Sequence, residues 1–208
     1  MSLIPLLPES EATDKVAQTY GRIKELLGSP NVPEPFQAYG RVPAFLQDFY
    51  MNFKKFVWNE GALDLRTKAT LALAVSSATR CKPWTVFFIG RCRQLELGEQ
   101  YVADTVAVAA TCAMYNVFFK FRDISGSDLF NGMSVGLRAH TFANTSLDER
   151  MVELINIAVS DINGCKPCTA GHVEKARQLK VSDDAILETV QCAATVAAGT
   201  AFLNAAAF

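Results

Sequence analysis

Apolar residues recur at three- and four-residue steps early in the chain, and this spacing predicts a one-sided amphipathic helix over residues 10–27. Ser10 or Thr13 suits the start of such a helix, and Gly28 follows its end. A loop rich in proline comes next. The positions that define the apolar face are Val16, Tyr20, Ile23, Leu26 and Leu27.

Two further helical pieces are predicted at residues 36–40 and 44–58. They are divided at Pro43, because a proline disfavours helix in the residue before it. We expect some of the aromatic surface of the second piece to meet a second subunit, since one helix face cannot hide so many rings. These rings belong to Phe45, Phe49, Tyr50, Phe53 and Phe56.

The rest of the chain contains an internal repeat. When the sequence is shifted by 84 residues without a gap, about twenty positions between residues 63 and 118 are identical to their counterparts. Cys81-Lys-Pro83 then falls on Cys165-Lys-Pro167, and Arg93-Gln-Leu95 falls on Arg177-Gln-Leu179. The chain therefore holds two copies of one unit.

Each copy is predicted to consist of three helices. The first is expected at 63–79 and 147–162, the second at 83–96 and 167–180, and the third at 99–120 and 183–206. No stretch alternates with a period of two over the length of a strand, which favours an all-α fold, a helical bundle built from two tandem copies of a three-helix unit.

The domain organisation follows from this division. An N-terminal helical arm at 1–60 precedes a degenerate copy at 61–122, and a second copy at 147–208 carries the candidate site. The connecting segment, 123–146, is predicted to hold a polar loop and a shorter amphipathic helix at 129–142. We expect all four parts to form one compact domain.

Composition excludes several classes of partner. The 20 basic and 21 acidic residues give a net charge of -1, and without a basic run there is no electrostatic case for nucleic acid or an anionic membrane. The apolar start, 1–8, lacks a basic leader and is broken by two prolines, so it is not predicted to be a secretory signal. The longest apolar stretch, 192–208, falls short of the ~20 residues of a membrane span and predicts a buried helix.

Cysteine usage points to a reducing compartment. The chain has 6 cysteines, too few for a disulfide scaffold, and four of them stand singly in helical patterns as small core residues. We therefore predict a cytoplasmic location. The four single cysteines are Cys81, Cys92, Cys112 and Cys192.

The remaining two cysteines form the strongest chemical motif, Cys165-Lys-Pro-Cys168, followed by His172. Two cysteines at this spacing can close a disulfide across one helical turn, and a histidine four residues later returns to the same helix face. Pro167 suits the first position of a helix, and a helix that starts there places Cys168 in its first turn, near the positive end of the helix dipole. Lys166 adds a positive charge, so we expect the pKa of Cys168 to lie below its free value of ~8.5 and Cys168 to be the nucleophile.

Comparison of the two copies marks three positions as something other than scaffold. Surrounding positions are alike, but three reactive side chains of the second copy are a methyl group and two rings in the first. Glu153, Cys168 and His172 correspond to Ala69, Trp84 and Phe88. The first copy therefore reads as an inactive copy kept for packing, in which Trp84 and Phe88 fill the core.

These positions suggest a proton relay. The short connection between the first two helices of the second copy forces them to pack together, so Glu153 could meet His172. A buried carboxylate needs such a partner, because an unpaired one costs several kcal/mol. We expect Glu153 to orient His172, His172 to take the proton of Cys168 directly or through a water, and Cys165 to resolve the product as a disulfide.

Other interpretations of these residues remain open. Cys165 and Cys168 could be two buried apolar thiols, or they could bind zinc with His172 and with Glu153 or Cys192 as the fourth ligand, although a second metal knuckle is lacking. His140 is predicted to lie at the surface or an interface, or to line the site from a neighbouring helix or subunit.

The pattern Glu153-x11-Cys165-x2-Cys168-x3-His172, on a duplicated helical unit, resembles the AhpD-like alkyl hydroperoxidases of the carboxymuconolactone decarboxylase superfamily. The resemblance implies a hydroperoxide substrate that oxidises Cys168 to a sulfenic acid, with which Cys165 then condenses. It also implies a homo-oligomer, a trimer or hexamer, and reduction of the disulfide by a dithiol such as a lipoyl group on a partner protein. No bound cofactor or metal is expected.

One position departs from the family. Some members have a histidine just before the reactive cysteine, and Pro167 occupies that place here. Proline cannot relay a proton, so we expect a slower peroxidase or one that prefers another oxidant. The alternatives are a carboxymuconolactone decarboxylase-type lyase, which does not need a cysteine pair, and a non-catalytic redox-sensing helical oligomer.

Overall fold

The computed structural model describes residues 4–206, and within this range every regular element is a helix. The all-α prediction is confirmed. The first three residues of the predicted arm and the last two of the second copy lie outside the described residues.

The arm supplies three α-helices: α1 (Asp14–Leu27), α2 (Glu34–Tyr39) and α3 (Pro43–Asn52). The predicted boundaries of α1 are confirmed, because Thr13 occupies the N-cap and Gly28 ends the helix in the left-handed conformation at φ 61°. The piece predicted at 44–58 is not one α-helix. Its second half, Phe53–Trp58, is a π-helix.

The two copies follow as α4 (Leu65–Ala78), α5 (Lys82–Gln94) and α6 (Glu99–Ile124), then α7 (Glu149–Ile162), α8 (Lys166–Gln178) and α9 (Asp183–Ala205). The first helices of the two copies begin alike, since the side chains of Asp64 and Asp148 accept from the backbone N–H groups of Thr67 and Met151, each at 2.7 Å. The backbone repeats even where it is unusual. The positive φ values of Arg80 (59°) and Glu96 (59°) recur 84 residues later at Gly164 (63°) and Lys180 (66°).

Aromatic rings from the arm and the first copy share one buried cluster. Trp84 stacks on Phe88 with ring centroids 5.3 Å apart, as predicted for core residues, and its Nε1–H donates to the Tyr39 hydroxyl at 2.7 Å. Phe49 and Phe53 pack on the same indole. The chain itself buries Phe49, Tyr50 and Phe53, while Phe45 and Phe56 keep partial exposure. That some of this aromatic surface meets a second subunit stays a prediction.

The connecting segment corrects another prediction. The helix expected at 129–142 is absent from the structure, which has two short 3-10 turns there, Asp128–Phe130 and His140–Phe142, joined by irregular chain. Gly132 and Gly136 interrupt the helical pattern, and Gly136 adopts φ 66°. Leu129 and Met133 are exposed, so burial does not stabilise a helix here.

Acidic residues join each copy to the other. The Glu188 carboxylate on α9 accepts from the backbone N–H of Leu63, just before α4, at 2.7 Å. It also accepts from Nζ of Lys68, within α4, at 2.9 Å. Asp104 on α6, which corresponds to Glu188 in the repeat, accepts from the N–H and hydroxyl of Ser146 at 2.7 Å, just before α7. The third helix of each copy therefore binds the start of the first helix of the other copy, or the residues just before it.

Two helices, α6 and α9, have the length and the apolar composition that a membrane span requires. More than half of the most apolar window of α9 is buried inside the protein, in agreement with the buried helix predicted at the end of the chain. The corresponding window of α6 is one-third buried, because one side of that helix faces outward.

Candidate functional site

The turn between α7 and α8 places both cysteines at a helix start. Gly164 supplies the left-handed residue that reverses the chain, and Cys165 is the N-cap of α8, with its N–H bonded to the Ser160 carbonyl at 3.0 Å. Pro167 lies at the second helical position and Cys168 at the third. The predicted placement of Cys168 in the first turn is confirmed.

Cys165 and Cys168 are joined by a disulfide, with their Cα atoms 5.4 Å apart. Cys165 is 1% exposed and Cys168 is 8% exposed, so Cys168 is the more accessible residue of the pair. This pairing uses both sulfurs that the zinc alternative required. Residues 4–206 contain no group of three or more histidine, cysteine or acidic side chains placed to hold a metal ion.

Glu153 and His172 meet as the sequence predicts. The Nδ1 atom of His172 lies 2.7 Å from Oε2 of Glu153, so the contact joins the middle of α7 to the second turn of α8. Because an ionised carboxylate can only accept, Nδ1 carries the proton and Nε2 remains available as a base when the ring is neutral.

A third residue, Lys175, completes this arrangement and was missed by the sequence analysis. Its Nζ donates to Oε1 of Glu153 at 2.7 Å, so each carboxylate oxygen has its own nitrogen partner. Lys175 lies one turn beyond His172 on α8. That spacing was a usable signal, since residues three apart share a helix face.

The electrostatics of Glu153 follow from burial and these two partners. Burial of the side chain, which is 2% exposed, raises the pKa of Glu153, but the hydrogen bonds from His172 and Lys175, with the positive charge of both, outweigh it. The pKa of Glu153 therefore lies below its usual value, and the group is a carboxylate at neutral pH.

Cys168 and His172 line one cavity of about 340 Å³. Its walls are mainly apolar and come from α6, the connecting segment and α8. The lining residues are Cys112, Tyr115, Phe119, Phe142, Pro167, Cys168, Gly171, His172 and Lys175. A small apolar molecule in this cavity would contact the sulfur of Cys168 and the imidazole together.

A buried polar network lies behind the cavity. The Asn116 side chain donates to the Ser160 hydroxyl at 2.9 Å, and the Cys112 sulfur lies 3.4 Å from the same oxygen. Burial raises the pKa of Cys112 to about 11, so this thiol stays protonated at neutral pH. The amide of Asn156, where the first copy has Ala72, has no hydrogen-bond partner among residues 4–206, and nothing in the structure explains this.

The other candidate residues lie apart from this arrangement. Cys81, Cys92, Cys112 and Cys192 are free and buried, as predicted for packing residues, although Cys112 also reaches the cavity wall. His140 is exposed in a 3-10 turn and does not line the cavity, which agrees with its prediction as a surface residue. In the first copy, Ala69, Trp84 and Phe88 are all buried, so apolar side chains fill the corresponding place.

Comparison with protein families gives one match that covers both copies. The model of the family described as "Carboxymuconolactone decarboxylase family" matches residues 44–123 and 130–208. The two matched segments correspond to the two copies of the internal repeat.

Curated relatives are similar over most of the chain. An alkyl hydroperoxide reductase AhpD from Rhodopseudomonas palustris is 30% identical over 156 residues, which cover 75% of this chain and 85% of the relative. A protein of the same name from Solibacter usitatus is 28% identical over 168 residues, covering 81% of this chain and 94% of the relative.

Solved structures share the fold at low sequence identity. An uncharacterized peroxidase-related protein from Ralstonia eutropha, described as an alkylhydroperoxidase AhpD core, superposes with a TM-score of 0.69 at 14% identity, covering 98% of this chain and 89% of that one. A putative gamma-carboxymuconolactone decarboxylase subunit from Burkholderia xenovorans gives 0.63 at 14% identity, covering 94% and 98%.

Proposed function

Because the chain belongs to the carboxymuconolactone decarboxylase family, whose AhpD-named members are its relatives, we propose that it is a thiol-dependent peroxidase. In this proposal Cys165 and Cys168 are the redox-active pair, and Glu153 and His172 form the proton relay. The observation that carries the proposal is the 2.7 Å contact between Glu153 on α7 and His172 on α8, the helix whose start carries the paired cysteines.

The reduced enzyme first forms a thiolate. His172 takes the proton of Cys168 at Nε2, because Nδ1 is held by Glu153. The imidazolium that results is stabilised by the adjacent carboxylate, while the positive end of α8 stabilises the thiolate.

The thiolate then attacks the hydroperoxide. A sulfur–oxygen bond forms on Cys168 as the oxygen–oxygen bond breaks, and the leaving alkoxide takes the proton from His172 to give an alcohol. The sulfur of Cys168 is now a sulfenic acid, and the peroxide has been reduced by two electrons.

Cys165 completes the cycle. Its thiol attacks the sulfur of Cys168, a disulfide forms, and the hydroxyl group of the sulfenic acid leaves as water with the thiol proton. An external dithiol, such as a lipoyl group on a partner protein, then reduces the disulfide by thiol–disulfide exchange. The apolar cavity favours organic hydroperoxides over hydrogen peroxide as substrates.

Two further parts of the proposal concern the cellular compartment and the oligomeric state. Four buried free thiols suit a reducing cytoplasm. A homo-oligomer, a trimer or hexamer, is expected from the family resemblance.

Replacement of the proposed nucleophile tests the peroxidase directly. Cumene hydroperoxide consumption with dihydrolipoamide as donor should be lost in Cys168→Ser, because serine cannot form a sulfenic acid or a disulfide. Cys92→Ser, which removes a buried thiol of the first copy, is the matched control and should retain activity. Unchanged turnover in Cys168→Ser would refute the peroxidase assignment.

The name of the family and the decarboxylase subunit among the similar folds favour a lyase as the second candidate. A lyase reaction leaves the thiols unchanged, whereas the peroxidase cycle consumes two thiols per chain. Counting free thiols before and after one equivalent of cumene hydroperoxide separates the two, with mass spectrometry to locate a Cys165–Cys168 disulfide. A constant thiol count would favour the lyase.

A further inference from the structure

Lys175 is the second nitrogen partner of Glu153, and neither the proton relay nor the cysteine chemistry uses it. Its ammonium group lies 2.7 Å from Oε1, and the imidazole lies 2.7 Å from Oε2. Given the proposed peroxidase cycle, on which this inference rests, we propose that Lys175 is a positioning residue that keeps Glu153 ionised and fixed while the charge of His172 changes.

The need for a permanent cation follows from burial. Glu153 is 2% exposed, and a carboxylate removed from water requires charged or hydrogen-bonded partners. His172 cannot always supply a charge, because it must be neutral before it accepts the proton of Cys168. In that half of the cycle Lys175 is the cation that compensates the carboxylate.

The position of Lys175 suits this role. Its side chain is 55% exposed, so water solvates the ammonium group while Glu153 remains buried. Lys175 lines the cavity of Cys168 on one side of the carboxylate, and on the other side it lines a groove that also contains Glu153 and Glu149. Lys175 therefore borders both openings that lie next to the buried carboxylate.

Other titratable groups around Glu153 do not provide a substitute. On α6, Cys112 is a protonated thiol, and on α7, Glu149 is a second acid at the edge of the groove. Cys168 on α8 becomes negative during the proposed cycle. Of the described groups that face Glu153 on these helices, Lys175 alone carries a permanent positive charge.

The first copy shows what a cation at this helix position does without a carboxylate. Arg91, the counterpart of Lys175, lies with its guanidinium 4.0 Å from the centre of the Trp58 ring, and Ala69 stands where Glu153 would be. Arg91→Met is therefore a matched control that removes a cation from the equivalent position of the copy without the site.

The first measurement is the pH profile of peroxidase activity in Lys175→Met and Lys175→Arg. Loss of the cation raises the pKa of Glu153, so the carboxylate is protonated at higher pH and His172 loses its partner there. The acid limb of kcat/KM should move up by about one pH unit in Lys175→Met, with recovery of the rate at higher pH. Lys175→Arg and Arg91→Met should keep the wild-type limb.

The second measurement does not depend on activity: urea midpoints of the reduced protein at pH 5 and pH 7. In the wild type, the low folded-state pKa of Glu153 makes it stabilising above its unfolded value, and this contribution is lost only as the pH falls through the folded value. In Lys175→Met we expect the folded-state pKa of Glu153 to be higher than in the wild type, because the lysine charge and hydrogen bond are lost. The urea midpoint of Lys175→Met should therefore lie below that of Lys175→Arg, and the difference should be larger at pH 7 than at pH 5.

The outcomes are distinct. An inactive wild type would refute the peroxidase proposal, and the urea midpoints would still decide the role of Lys175. An unchanged acid limb and a pH-independent midpoint deficit in Lys175→Met would overturn the Lys175 proposal. Equal impairment of the methionine and arginine variants at every pH would also overturn it, because that pattern indicates a packing role.

Discussion

At the scale of single residues, the ionised state of Glu153 is the feature on which the proposed chemistry depends. The side chain is buried, and it is charged because two nitrogen groups from one helix bind its two oxygens. A carboxylate in this position fixes the ring of His172 with Nε2 directed away from it. Removal of the charge should therefore affect catalysis more than folding.

We expect Glu153→Gln to lower kcat/KM for cumene hydroperoxide by about 10–100-fold, a typical effect of losing the partner that orients a functional histidine. Glutamine keeps the size of the side chain but cannot stabilise an imidazolium. Steady-state kinetics with a dithiol donor measure the effect, and Glu174→Gln, an exposed carboxylate on α8, is the control. Wild-type kinetics in Glu153→Gln would contradict the relay.

The sequence predicted the meeting of Glu153 with His172 but not the part played by Lys175. The repeat made the first prediction possible, because the same positions of the first copy hold Ala69 and Phe88. Lys175 gave no such contrast, since its counterpart Arg91 is also basic. A basic residue on a surface helix is usually solvated, and its role here depends on the depth of Glu153, which sequence does not give.

At the scale of helices, the buried pair Lys68–Glu188 connects α4 to α9. The Lys68 side chain is fully buried, and its Nζ also donates to the carbonyls of Lys55 and Asn59 at 3.2 and 2.6 Å, at the end of the π-helix. Gly61 must lack a side chain here, because a Cβ at this residue would lie 2.2 Å from Oε1 of Glu188. Lys68, in the first copy, thus connects the arm to the second copy.

Lys68→Met should lower the free energy of unfolding by about 3 kcal/mol, because it leaves the buried Glu188 carboxylate without its cation. Urea denaturation at pH 7 measures the loss. Lys68→Met/Glu188→Gln should recover part of it, since glutamine is neutral and can still accept from Leu63. A double variant no more stable than the single one would show that the charge of Glu188 is not the cause.

Gly199 marks a close approach of α9 to the arm. A Cβ here would lie 2.6 Å from the Phe49 ring and 2.7 Å from the Tyr39 hydroxyl, which itself donates to the Gly199 carbonyl. Gly199→Ala should therefore lower the free energy of unfolding by about 1–3 kcal/mol, although alanine favours helix.

The control for this prediction is Gly90→Ala on α5, where a Cβ would meet nothing within 4 Å. That change should raise the free energy of unfolding by about 0.5–1 kcal/mol through helix propensity alone. Denaturation curves of the two variants should shift in opposite directions. A stabilised Gly199→Ala would contradict the close packing of α9 on the arm.

Helix positions could be predicted closely where the chain carries capping residues. The helices predicted to begin at residues 63, 147 and 183 start directly after Asp64, Asp148 and Ser182, which are N-caps whose side chains accept from the backbone. The segment 129–142 could not be predicted in this way, because its apolar spacing resembles a helix while its glycines and exposure prevent one. The π-helix at Phe53–Trp58 has no signal in the spacing of apolar residues.

At the scale of the whole molecule, one face of α6 remains uncovered. Four large apolar side chains on it are exposed at three- and four-residue steps: Met114, Val117, Phe121 and Ile124. Their counterparts 84 residues later on α9 include Ala198, Ala201 and Ala205, so packing of the repeat does not require large residues there. An apolar stripe of this kind is typical of a contact between subunits.

We therefore expect the protein to be larger than its 22.7 kDa chain in size-exclusion chromatography with light scattering. Val117→Glu should shift it towards the mass of a single chain, because a charge in an apolar contact is costly. The control is Ala201→Glu, at the equivalent exposed position of α9, which should keep the wild-type mass. A monomeric wild type would contradict the expected oligomer.

The overall architecture was accessible from sequence because the repeat constrains it. Two copies of one helical unit, matched over residues 63–118, leave few alternatives to a duplicated bundle. The way the copies exchange contacts was not accessible, because the partner of Asp104 lies before α7 and the partner of Glu188 lies before α4. Such long-range pairs leave no periodic trace.

The reciprocal bonds of Asp104 and Glu188 also bear on how the chain arose. In a single ancestral unit, the acidic residue of the last helix could have found this partner only in a second molecule of the same unit, which carries the same segment before its first helix. Gene fusion would then have turned an exchange between identical chains into an internal one. With both copies in one chain, one copy could lose its reactive residues and keep only a role in packing against the other.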